Sequence, residues 1–114
     1  MKQDIDMTAQ LPKPLAAYFI ATNKHDIDAM LAPFDENASV KDEGQTHYGC
    51  PAIRSWMEYT THKYRFTVEV KSMRDEKGKI VISGLVSGDF PGSPTLLRHA
   101  FTLSGQKIAR LEIT

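Results

Sequence analysis

The chain is short of several things, and each shortage removes a class of function. It has one cysteine, Cys50, in 114 residues. No internal disulfide is therefore available, and the thiol fits a reducing, cytoplasmic setting. Lys+Arg and Asp+Glu both number 14. With no net charge and no basic run, the sequence lacks the electrostatic footprint of a nucleic-acid binder. No apolar stretch is long enough to span a bilayer, and the opening MKQDID has no apolar signal core. Neither nucleic acid nor membrane is expected as a partner. There is no glycine-rich phosphate loop, because Phe90-Pro91-Gly92-Ser93-Pro94 reads as a turn between strands.

What is present is ordinary globular composition, with 41% apolar and 25% charged residues. The length suits one domain over 1–114, with residues 1–10 as a polar, flexible lead-in. Leu11, Leu15, Tyr18, Phe19 and Thr22 share a helical stripe behind Pro12 and Pro14. Asp26 caps a second, short helix carrying Ile27, Met30 and Leu31, and Phe34 packs back beneath both. A third helix starts near Cys50-Pro51, with Ile53, Trp56, Met57 and Thr60 on its inner stripe.

From Tyr64 onward every signal is a strand signal, with turns at Asp75-Glu76-Lys77-Gly78, Phe90–Pro94 and Ser104-Gly105. Helices first and an antiparallel sheet afterwards is an α+β order. The strand after Ile80 is apolar at both parities, which calls for cover on both faces. Three helices supply one cover. A second subunit, giving a homodimer through the sheet, is the expectation for the other.

Three polar tips point inward from three separate elements. In Ala38-Ser39-Val40-Lys41-Asp42, alternation sends Asp42 to the side of Ala38 and Val40. His99 shares a face with Leu97, Phe101 and Leu103, and Tyr18 lies on the buried stripe of the first helix. Unpaired burial costs about 1–3 kcal/mol per group, so convergence implies mutual hydrogen bonds or a solvated cavity. A carboxylate in an apolar pocket is a stronger base. A tyrosine hydroxyl or a neutral histidine N–H donates to a developing oxyanion. Together, Asp42, Tyr18 and His99 form a set able to remove a proton beside a carbonyl. Trp56, Met57, Val40, Phe101, Leu97 and Phe34 are the candidate pocket walls. Each polar residue also has a plainer reading: Tyr18 as a core aromatic, His99 as a satisfied core histidine, Asp42 as a turn cap. His47 and His62 lack metal-ligand spacing, so no metal and no organic cofactor are expected.

Several segments carry a family resemblance: Tyr18–Asp28, Ala38–Asp42, Gly49–Arg54, Gly88–Pro94 and Phe101–Ile108. The chain resembles the nuclear transport factor 2-like superfamily, especially its SnoaL-like members and the ketosteroid isomerases. The resemblance implies a cone: a curved antiparallel sheet packed on three helices from the N-terminal half, enclosing an apolar pocket and usually dimeric. It implies Asp42 as general base and Tyr18 as oxyanion donor, with His99 where the isomerases have an inward aspartic acid. Glu43 replaces the isomerases' proline, which is more similar to SnoaL-like members. The expectation is a pocket protein for a small apolar molecule, acting as an isomerase, cyclase or dehydratase through an Asp base. The alternative is a non-catalytic ligand-binding or dimerisation module.

Overall fold

The computed structural model describes residues 7–114. The expected lead-in lies partly outside the described residues. The part within them, Met7–Gln10, is a short 3-10 turn whose Met7 packs against the core. Then follow α1 (Lys13–Asn23), α2 (Ile27–Leu31), β1 (Phe34–Asp42), β2 (Gln45–Tyr48), α3 (Gly49–Tyr64), β3 (Thr67–Glu76), β4 (Lys79–Ser87), β5 (Thr95–Ser104) and β6 (Lys107–Ile113). The six strands form one sheet in the order β2-β1-β6-β5-β4-β3. Among these residues no helix is long and apolar enough to cross a membrane.

Local chemistry sets the helix limits. Pro14 occupies the first turn of α1, where a missing N–H costs nothing. The Asp26 carboxylate caps α2 by accepting the Ala29 N–H at 3.2 Å. The apolar stripes of α1 and α3 lie on the sheet, with Leu15, Phe19, Ile53 and Met57 fully buried. The end of α1 is tied to the edge strand β3. The Asn23 amide donates to the Val68 carbonyl at 2.9 Å and accepts the Val68 N–H at 2.7 Å, as a neighbouring strand would. The β3–β4 turn is Lys77-Gly78, both at positive φ, the conformation that two-residue hairpins favour.

The antiparallel expectation holds for every neighbouring pair but one: β1 lies parallel to β6. Register shifts in the β1–β6, β3–β4 and β5–β6 pairs mark bulges, which bend strands and let the sheet curve around the helices. On the outer face, Val81 pairs with Ala100 and Ala100 with Glu112. Ion pairs run beside them: Arg74 and Arg98 to Glu76, and Lys79 and Arg110 to Glu112. Val81 and Ala100 are therefore already buried in one chain. The apolar groups left exposed on this face are Leu96 and Tyr48.

Candidate functional site

One end of the sheet builds a cavity. Asp42 ends β1 and Ile113 ends β6. Thr95 and Leu97 begin β5, Val86 lies near the end of β4, and Val68 near the start of β3. Tyr18 from α1 and Trp56 and Thr60 from α3 close it from the helical side. The space measures about 240 Å³.

Asp42 stands half-buried on its wall, and the Trp56 indole N–H donates to its Oδ2 at 3.0 Å. Burial raises the carboxyl above the ordinary value of 3.8. The Trp56 hydrogen bond opposes this, and the adjacent Glu43 charge adds to it. The His47 ring lies tilted beside the Trp56 ring, centroids 6.2 Å apart. Neither Arg98 nor Arg110 reaches Asp42. Arg98 pairs with Glu76, and Arg110 bonds Glu112 and Ser39.

Tyr18 is 2% exposed and packs edge-on against Phe19, Phe34 and Phe101. Burial drives its phenol pKa upward, so it stays protonated. His99 is 3% exposed and lies stacked on Phe101. Its Nδ1 has no hydrogen-bond partner, and desolvation pushes the ring pKa from 6.5 down to about 4, so the imidazole is neutral near pH 7. The ring fits there because Gly84 lies alongside. A Cβ at Gly84 would stand 3.1 Å from His99 Cε1 and 2.7 Å from Val68 Cγ1.

The structure thus brings Asp42, Tyr18 and His99 to one cavity, with Trp56 and Leu97 among its walls. Four expected wall residues are corrected. Met57, Val40, Phe101 and Phe34 are buried in the solid core and do not line the space. Phe34 begins β1, at the opposite end from Asp42. The other three face inward where helices and sheet are already in contact.

The sequence reading missed part of the lining. The Tyr64 hydroxyl donates to Glu43 Oε1 at 3.3 Å, and Phe90 packs edge-on against Tyr64. Phe66, Val68 and Val86 also line the cavity. The alternation of β3 signals that Val68 is inward, but nothing local shows that Tyr64 and Phe90 meet across a turn.

The model of the SnoaL-like domain family matches residues 15–111. The chain belongs to the SnoaL-like domain family. Among solved structures, it is 36% identical to a putative polyketide cyclase from Sinorhizobium meliloti, with a TM-score of 0.89, covering 94% of this chain and 98% of that one. A second putative polyketide cyclase, from Pseudomonas putida, is 22% identical with a TM-score of 0.75, covering 90% and 89%. A hypothetical protein from Catenulispora acidiphila with a ketosteroid isomerase-like fold, solved with trimethylamine, is 18% identical at a TM-score of 0.78, covering 90% and 85%. The last two likenesses speak for the fold alone. No curated protein matches the sequence. Within this SnoaL-like domain the sheet end that carries Asp42 holds the cavity.

Proposed function

We propose that this SnoaL-like protein moves a proton on a small, largely apolar carbonyl compound, as an isomerase, cyclase or dehydratase. The Asp42 carboxylate takes a proton from the carbon beside the carbonyl, and the C–H electron pair passes to the carbonyl oxygen as an enolate. Tyr18 O–H and the N–H of neutral His99 are the donors to that oxygen. The proton then returns to another carbon, or goes to a β-hydroxyl that leaves as water, or goes to the oxygen of a second carbonyl of the same molecule as the enolate carbon attacks it. The base contributes roughly a hundredfold to ten-thousandfold in rate. Each donor contributes about 3 kcal/mol. The observation that carries the reading is a carboxyl with a raised pKa on an apolar cavity shared with two buried donor residues. No metal or cofactor is required by this chemistry.

The test is binding of a phenol, which mimics the enolate, to the wild type and to Asp42→Asn. Retained or tighter binding by Asp42→Asn, with loss of proton exchange, is the expected result. No binding by either protein would remove the enolate mechanism and leave a dimerisation module as the better reading. For the assembly we propose a homodimer through the outer sheet face. Its support is Leu96, 59% exposed, and Tyr48, 73% exposed, beside the charged ladder.

A further inference from the structure

The cavity is more selective in charge and size than a proton-transfer site needs to be. Two residues on its lining are carboxylic acids, Asp42 and Glu43. No lysine or arginine lines it, and His99 is held neutral. Neither acid forms an ion pair among the described residues, whereas Glu69, Glu76 and Glu112 on the outer face are all paired. The ammonium of Lys63 is spent on the Tyr59 hydroxyl, at 3.0 Å, and on the Tyr59 and Tyr64 rings. A bound carboxylate or phosphate would lose hydration beside the half-buried Asp42, with no lysine or arginine on the lining to replace it and a second acid, Glu43, at the exposed side. A ligand on a phosphodiester carrier arm would bring a further negative charge to a lining whose exposed side carries Glu43.

Size adds an independent limit. A closed apolar cavity of about 150 Å³ takes one benzene. The space here, about 240 Å³, holds one ring with a short substituent. Three or four fused rings would stand out through the mouth into water, leaving much of their apolar surface unburied. Tyr18 and His99 are the interior donors left for a ligand acceptor, since the Trp56 N–H, the Thr60 hydroxyl and the Tyr64 hydroxyl already donate to Asp42, the Trp56 carbonyl and Glu43.

We infer that the substrate is a free, uncharged, single-ring carbonyl compound, neither an acid nor a carrier-bound acyl group nor a polycyclic ketone. The carbonyl rests on the proton-transfer reading; the charge and size limits do not. Binding can be followed at the indole N–H resonance of Trp56, the one tryptophan in the chain. Three probes are titrated near neutral pH: cyclohexanone, cyclohexanecarboxylate and a tetracyclic ketone. The inference expects cyclohexanone to shift the resonance and the carboxylate to bind about tenfold or more weaker. It expects the tetracyclic ketone to gain nothing over the single ring. In an Asp42→Asn, Glu43→Gln double variant the gap between cyclohexanone and the carboxylate should close. Equal affinity for the two in the wild type would overturn the inference, as would a clear preference for the tetracycle or no binding by cyclohexanone. Exchange of the α-protons of cyclohexanone is read in the same samples. If exchange is absent while the ranking holds, the proton-transfer reading fails and the ligand class stands.

Discussion

Trp56 and Asp42 are joined by an indole N–H···Oδ2 hydrogen bond of 3.0 Å. A helix side chain thus fixes the carboxyl that ends a strand. The bond has opposite effects on geometry and basicity: it orients the carboxylate, and it favours the ionised form.

Replacing Trp56 with Phe keeps a ring and removes the N–H. The Asp42 carboxyl should then titrate at higher pH than in the wild type. Because the base must be ionised, the acid limb of any proton-exchange activity should move upward with it. A pH–rate profile checks this. An unmoved limb, with only the overall rate reduced, would make Trp56 a wall and nothing more.

His99 makes folding sensitive to acid. Its folded pKa, about 4, lies below the ordinary 6.5. The unfolded chain therefore binds the proton first, and stability falls as pH drops from 6.5 toward 4. The loss is about 3 kcal/mol, an order-of-magnitude figure. Denaturant unfolding of wild type and His99→Leu across that window checks it. The stability of the wild type relative to the variant should fall as the solution is acidified.

Asp42 has the opposite sign. A carboxyl whose folded pKa is raised stabilises the fold below its unfolded value, and that stability is lost as pH rises through the folded value. Asp42→Asn should therefore be more stable than the wild type near neutral pH, with the gap closing in acid. Thermal melts at both pH values check it. Such a gain at the expense of function is common for groups held in unfavourable surroundings.

Gly84→Ala tests the seat of His99. The added methyl meets Val68 Cγ1 at 2.7 Å and His99 Cε1 at 3.1 Å, so the imidazole must move. Overpacking of this kind costs about 1–3 kcal/mol. The expected result is a folded protein with weaker phenol binding and a shifted His99 ring resonance. Unchanged binding would show that the position of His99 does not matter to the site.

Leu96→Glu tests the assembly. Sedimentation of the wild type should give a dimer, and the variant a monomer with unchanged fold. A monomeric wild type would end the dimer proposal.

Much of this molecule was legible in its sequence. The stripe Leu15, Tyr18, Phe19 and Thr22, and the stripe Ile53, Trp56, Met57 and Thr60, are buried as their helical spacing requires. Lys77-Gly78 turns where the hairpin signal places it. The parallel β1–β6 pair was not legible, because it depends on where a distant strand docks. Within the site, alternation sent Asp42, Val40, His99 and Phe101 inward alike, but parity does not separate a cavity from a filled core. Position along the strand does. Asp42, Thr95, Val86 and Ile113 meet at one end of the sheet, while Phe34 lies at the other end of β1.

Everything in the proposed chemistry depends on the half-buried Asp42 carboxyl of the cavity wall being within reach of a ligand. Carbon-13 NMR titration of the Asp42 side chain, alone and with saturating phenol, tests this directly. The midpoint should lie above 3.8 in the free protein and change clearly when phenol binds. A midpoint at or below that value, unmoved by phenol, would contradict it.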